Sequence, residues 1–267
     1  MKYLIKNNYK YKRENYNFWV DRLKNKKENL VCTKDIILDR LEENQIIKNV
    51  KANSSILELG CGNGVILKKI LKKKKIKSYL GTDFVNELIN NCKFKFNSKN
   101  IEFKTLDMTL INKSTFPEKY DFIITKRAIQ NILNYKLQLK VIDNVGYFLK
   151  KKGLMILVES SATAQKNINN LRKYYKLSRI IPPFHNLFFD DKKIKKYNFK
   201  NVKLLKVENF SSAFYFTSRI IYALYAKLFL KKNPNYNHPL NIIASMLDEK
   251  FIKNDFSQIK TYIFKKK

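Results

Sequence analysis

Along the chain, short continuous apolar runs alternate with longer stretches whose apolar residues recur every three or four positions. The runs 54–59 (SSILEL), 78–83 (SYLGTD), 101–106 (IEFKTL), 120–125 (YDFIIT) and 154–159 (LMILVE) have the length and bounding residues of strands. Between them, 64–74, 85–96 and 136–149 have helical length. Strands alternating with helices predict right-handed βαβ units and a mostly parallel sheet covered on both faces. Upstream, Thr33 is a candidate N-cap for a helix carrying Ile36, Ile37, Leu41, Ile46 and Ile47. Residues 1–30 lack clear periodicity and read as a loose arm, or as a short helix around Phe18–Leu23. Lys150–Gly153 reads as a glycine stop that ends the third of these helices before the fifth strand.

Past Glu159 the rhythm changes. Gln165–Leu177 and a shorter stretch from Asp190 and Asp191 to about Tyr197 read as helices, and 201–210 as a sixth strand. Tyr215–Leu230 and Pro239–Lys250 read as two more helices, and the alternating 258–264 as a seventh strand. Forty-seven residues separate Phe210 from Gln258, so a helical insertion stands between the last two strands and is expected to act as a cap.

The sharpest chemical signal lies where the first strand ends, in Glu58-Leu59-Gly60-Cys61-Gly62-Asn63-Gly64. Alternate glycines permit a tight turn and let a ligand approach the backbone, while a following helix start offers free N–H groups. A dinucleotide fingerprint would place a third glycine at position 65, which is Val65, so NAD and FAD are disfavoured. Asp83 ends the second strand 19 residues past Gly64, the spacing at which a carboxylate accepts ribose hydroxyls. Asp107 and Met108 follow the third strand.

This glycine loop with two acids at strand ends resembles the class I S-adenosylmethionine (SAM)-dependent methyltransferases over about residues 50–160. The resemblance implies a Rossmann-like seven-stranded α/β sheet, mostly parallel, with helices on both faces and an antiparallel last strand beside the fifth. It implies a SAM-binding site built from Glu58, Gly60, Cys61, Gly62, Asn63, Gly64, Asp83, Phe84, Asp107, Met108 and Lys126, with S-adenosylhomocysteine as product. The stretch Thr125–Leu133, together with Glu159 and Pro183–Phe189, is similar to a small-molecule and sugar-type bacterial subgroup. The expected organisation is an arm (1–32), a SAM-binding core (33–160), an acceptor-side insertion (161–200), and strands six and seven (201–267) with the cap at 211–250.

Strand carboxyl ends are where ligands bind in open α/β sheets, which singles out Glu159, Arg127 and Asn131. Methylation of a hydroxyl needs a base, and His185 and Glu159 are the candidates. Arg127, Asn131, Asn186, Tyr215 and Arg219 are expected on the acceptor, with the arginines suited to an anionic group. The fourth strand ends without an Asn-Pro-Pro-Tyr or Pro-Cys sequence, against adenine or glutamine N-methylation and cytosine C5-methylation of those types. It also ends without an acid, so no catalytic metal is expected. The resulting expectation is O-methylation of a small molecule or glycan precursor, with N-methylation of a small amine and RNA methylation as alternatives.

Composition sharpens this only in part. The 267 residues hold 55 Lys+Arg against 22 Asp+Glu, a net charge of +33, and seven of the basic residues are Arg. A hydrophobic share of 45% excludes a disordered basic tail, and six Gly and five Pro exclude a collagen-like fibre. The lysines fit either A+T-rich codon usage or a polyanionic partner such as RNA; scarce Arg weighs against bidentate phosphate and guanine contacts. Three cysteines in no paired spacing and no apolar leader segment point to a reduced, cytoplasmic setting. The apolar stretch 213–230 contains Arg219 and Lys227 and is short for a membrane span, which leaves peripheral membrane contact through a basic amphipathic helix open.

Overall fold

A computed structural model describes residues 2–27 and 30–267. Its strands are β1 (Ser55–Leu59), β2 (Ser78–Asp83), β3 (Ile101–Thr105), β4 (Tyr120–Lys126), β5 (Leu149–Ser160), β6 (Val202–Asn209) and β7 (Ile259–Lys266). They form one sheet in the order β3-β2-β1-β4-β5-β7-β6. Neighbours from β3 to β5 are parallel, and β7 runs antiparallel to both β5 and β6. The expected seven-stranded sheet with an inserted antiparallel last strand is therefore present.

The helices are α1 (Lys2–Asn25), α2 (Ile36–Asn49), α3 (Val65–Leu71), α4 (Asn86–Lys95), α5 (Tyr135–Gly146), α6 (Ala162–Tyr174), α7 (Asp191–Lys196), α8 (Ser212–Phe216), α9 (Tyr222–Tyr225) and α10 (Pro239–Met246). Wider π turns at Thr217–Ile221 and Ala226–Leu230 continue α8 and α9. Every residue of β1 is buried, because its side chains alternate between two cores. Ile56 joins Ile37 and Leu38 of α2 and Ile66, Leu67 and Ile70 of α3, whereas Leu57 and Leu59 join Val141, Ile142 and Val145 of α5.

Four expectations are corrected. The arm is a 24-residue helix, α1, held by a few large side chains: Tyr16, Trp19, Val20 and Leu23 pack against Val31, Val85 and Leu88. The cap of α2 is Asp35, whose Oδ1 accepts from Leu38 N at 3.0 Å; Thr33 instead accepts from Asp35 N. Lys150–Gly153 belongs to β5, where the pairing with β4 jumps from Tyr120↔Leu149 to Phe122↔Leu154 around a bulge. The segment between β6 and β7 packs on α2, with α10 against α8, and contributes nothing to the main cavity described below. It is anchored by Glu249, whose carboxylate accepts from Ser212 N at 2.7 Å and Ala213 N at 3.2 Å.

Candidate active site

β1 delivers the chain into the glycine loop at the carboxyl edge of the sheet. Gly60 (φ +68°) and Gly62 (φ +55°) adopt left-handed backbone that glycine alone enters without strain. A Cβ at Gly60 would stand 2.4 Å from Ala128 Cβ, and one at Gly62 would stand 2.8 Å from Cys32 Sγ. The loop is tied to β2 by Cys61 N donating to Thr82 O (2.9 Å) and Gly62 N donating to Asp83 Oδ2 (3.0 Å). Val85 N donates to the other Asp83 oxygen at 3.0 Å. Burial nevertheless pushes the Asp83 carboxyl above its ordinary value.

In front of this loop lies a cavity of about 630 Å³. Gly60, Gly62, Asp83, Phe84, Asp107 and Met108 line it from the strand ends, and Lys126, Arg127, Ala128 and Asn131 from the exit of β4. Ile132, Leu133 and Leu137 add an apolar wall. Lys12, Asn15 and Trp19 of α1, with Phe184 and His185, complete the enclosure. The 183–189 loop is brought here by Leu187 N donating to Gln130 O (2.7 Å) and Gln138 Nε2 donating to Leu187 O (2.8 Å).

Of the residues expected in the site, Gly60, Gly62, Asp83, Phe84, Asp107, Met108, Lys126, Arg127, Asn131 and His185 line this cavity. Glu58, Cys61, Asn63 and Gly64 shape the loop from behind. The Glu58 carboxyl is buried against Tyr79, whose hydroxyl donates to it at 2.6 Å, and burial pushes its pKa up to about 8. Glu159 is fully buried away from the cavity. It accepts from Thr125 Oγ1 (2.7 Å) and from the N–H groups of Ala128 (3.1 Å), Ile129 (3.0 Å) and Gln130 (3.2 Å), and burial raises its pKa to about 7. It therefore pins the turn after β4. Asn186 lies beside the cavity's lining rather than in it, Tyr215 is buried in the core, and Arg219 pairs with Asp35 under the Tyr236 ring.

The basic groups that line the cavity all have acidic partners. Lys126 meets Asp39 at 2.6 Å, and Arg127, itself in left-handed backbone (φ 53°), meets Asp39 at 3.1 Å and Glu42 at 3.0 Å. Burial alone would lower the Lys126 and Arg127 pKa values, but Asp39 and Glu42 outweigh it and raise both. Burial lifts Glu42 to about 7 even so. Lys12 pairs with Asp107 at 2.6 Å. Three polar atoms on lining residues are buried without a partner: Asn15 Oδ1, Asn131 Oδ1 and His185 Nδ1. The imidazole of His185 sits among Phe18 (4.4 Å between ring centres), Trp19 and Phe184. Burial, with help from Arg22, lowers its pKa to about 4, so it is uncharged at neutral pH. Among the described residues no cluster of three or more His, Cys, Asp and Glu could hold a metal ion.

Lys12, Asn15, Trp19 and the Asp39–Glu42 pair were absent from the sequence expectation. No run or spacing marks them, since each reaches the site across α1 or α2.

Residues 50–203 match the family described as the methyltransferase domain. The chain is 36% identical over 103 residues to a malonyl-[acyl-carrier protein] O-methyltransferase of Ilyobacter polytropus, covering 38% of each chain. It is 26% identical over 175 residues to the ubiquinone/menaquinone biosynthesis C-methyltransferase UbiE of Rickettsia prowazekii, covering 62% of this chain and 68% of that one. The match thus spans about two fifths of the first relative's length. In fold, the chain is similar to the N-methyltransferase NodS of Bradyrhizobium japonicum, solved with S-adenosyl-L-homocysteine, at a TM-score of 0.56 and 9% identity over 94% of this chain and 98% of that one.

Proposed function

We propose that this chain, which belongs to the methyltransferase-domain family, carries out SAM-dependent methylation of a hydroxyl on a small molecule with an apolar body. When bound, SAM supplies a methyl group already activated by its sulfonium. The cradle suits such a ligand, because Gly60 and Gly62, kept bare by the close approach of Ala128 and Cys32, bring backbone without side chains to the cavity wall. On this reading Asp83 accepts from the ribose hydroxyls and Asp107 from the adenine amino group, with Phe84 and Met108 against the ring. Lys12 gives up Asp107 at small cost, since an exposed ion pair contributes only about 0–1 kcal/mol.

The acceptor faces Ile132, Leu133, Leu137 and Phe184, an apolar lining. Lys126 and Arg127 are already matched by Asp39 and Glu42, which favours an uncharged acceptor over an anionic one. The similarity to an O-methyltransferase and to a quinone-biosynthesis methyltransferase supports a small organic acceptor. His185 is the base: it lines the cavity, and this observation carries the reading. Being uncharged at neutral pH, the imidazole can take the hydroxyl proton as the oxygen becomes nucleophilic. Asn131, also on the cavity wall, orients the hydroxyl.

Calorimetry with SAM, followed by methyl transfer from labelled SAM to a panel of hydroxylated apolar compounds, tests the reading. His185→Asn is expected to bind SAM as the parent does and to lose about 100-fold in kcat. Unchanged turnover in that variant rules out His185 as the base.

A further inference from the structure

The segment between β6 and β7 carries an apolar surface that the rest of the fold leaves uncovered. From α8 to Leu230 its helical path buries Ala213, Phe214, Ile220, Tyr222, Ala223 and Ala226 against the core. Tyr225, Leu228 and Phe229 point outward, with Leu228 63% and Phe229 72% exposed. Tyr225 and Phe229, one turn apart, lie in ring contact. The helix stops at Lys231 in left-handed backbone, with Lys232 N donating to Ala226 O, so the apolar tip ends directly in a lysine pair. α10 repeats the arrangement. It buries Asn241 and Ala244 and exposes Ile242, Ile243 and Met246, the last at 77%. Large apolar side chains left exposed in such groups mark a contact surface.

Charge identifies the partner. Residues 221–253 hold five lysines and two acids, and one of the acids, Glu249, is occupied by the N-terminus of α8. Two copies joined through this face would bring their lysines together on chains of net charge +33, which opposes self-association. An anionic lipid surface satisfies both features: it accepts apolar side chains below its headgroups and attracts lysines beside them. No helix among the described residues is long and apolar enough to cross a membrane, so the contact is with one face of the bilayer.

We propose that the helical segment between β6 and β7 docks the protein onto an anionic phospholipid surface, with Leu228, Phe229 and Met246 entering the headgroup layer and Lys231 and Lys232 meeting lipid phosphates. Because β6 runs parallel to β5 across the shared partner β7, this segment leaves the same edge of the sheet that bears the glycine loop. Docking therefore turns the catalytic edge toward the lipid.

Flotation of the full chain with vesicles tests this. Phosphatidylcholine vesicles containing phosphatidylglycerol are expected to carry the protein, and phosphatidylcholine alone to carry far less. Leu228→Ser with Phe229→Ser, and separately Lys231→Glu with Lys232→Glu, are each expected to lower partition about tenfold. The same charge reversal at exposed Lys72 and Lys73, in the turn that ends α3, is expected to change it less than about twofold. Unchanged circular dichroism and SAM affinity in each variant certify folding, and SAM binding is read separately from flotation. Three outcomes overturn the proposal: no binding to anionic vesicles, an equal loss at Lys72 and Lys73, or a dimer that the serine variant splits into monomers.

Discussion

The two halves of the cavity are built by different means. At the strand ends, Gly62 N and Val85 N both donate to Asp83, and the loop between them is shaped by glycines that no side chain can replace. The opposite half is assembled from α1, α2 and the 183–189 loop through side chains: Lys12 on Asp107, Asp39 and Glu42 on Arg127, and three aromatic rings around His185. The first half rests on backbone N–H groups, glycines and a single carboxylate, which few substitutions touch, whereas a side-chain assembly is rewritten by each substitution. On the proposed reading, the half that takes the cofactor can thus stay constant while the half that takes the acceptor diverges.

Substitutions can break this contrast, the most damaging first. Gly60→Ala forces a Cβ into Ala128 and a strained φ, which is expected to cost about 2–4 kcal/mol of stability and to abolish SAM binding. Thermal denaturation and calorimetry read both, and a stable, SAM-binding variant would show that the backbone is not what fixes this half. Asp83→Ala is expected to weaken SAM about 100-fold by removing charge-assisted hydrogen bonds. Asp107→Ala is expected to cost about tenfold, because that carboxylate is more exposed. On the acceptor side, kcat/KM is expected to be flat from about pH 6 to 8 and to fall only toward pH 4, where His185 becomes protonated. A half-maximum near pH 7 would assign the base to another group.

A smaller effect concerns stability. Glu58 holds its proton up to about pH 8 in the fold, while an unfolded glutamate releases it near 4.5. The folded chain therefore binds more protons across that window, and stability falls as pH rises through it. Glu159 and Glu42, raised to about 7, act in the same direction; His185, lowered to about 4, acts oppositely between about pH 4 and 6.5. Glu58→Gln is expected to flatten the decline and to gain on the order of 1 kcal/mol relative to the parent at pH 8.5 in denaturant titrations. Least of all, Lys12→Ala is expected to tighten SAM by no more than about threefold in calorimetry. A loss of affinity there would mean that α1 grips the cofactor rather than competing with it.

The same contrast governs what could be read without coordinates. The half we assign to the cofactor was legible because its parts lie in single runs at strand ends: Gly60–Gly64, then Asp83, then Asp107. The alternation predicted a mostly parallel sheet, and the antiparallel last strand beside the fifth rested on the family resemblance. Glu159 illustrates the limit. An acid at a strand's carboxyl end can face the cavity or the neighbouring turn, and only the N–H groups of Ala128, Ile129 and Gln130 decide between them. Arg219 was drawn toward the acceptor by its charge, yet Asp35, 184 positions away in sequence, holds it elsewhere. α1 was legible only around Phe18–Leu23, because lysines and asparagines conceal the rest of its pattern.

The position of β7 has a consequence for the order in which the molecule can be made. It is the last strand in sequence but an interior strand of the sheet. During synthesis, β1 to β5 and the glycine loop can assemble once residue 160 has emerged, since β1 to β4 pair only within this set and β5 finds one of its two neighbours in it. β5 must then wait with one edge bare, and β6 with no partner at all, until Ile259–Lys266 arrives to bridge them. The nascent chain can therefore form its glycine loop about a hundred residues before its sheet is closed, and a ribosome that stalls in the interval leaves the unpaired edges of β5 and β6 exposed to other chains.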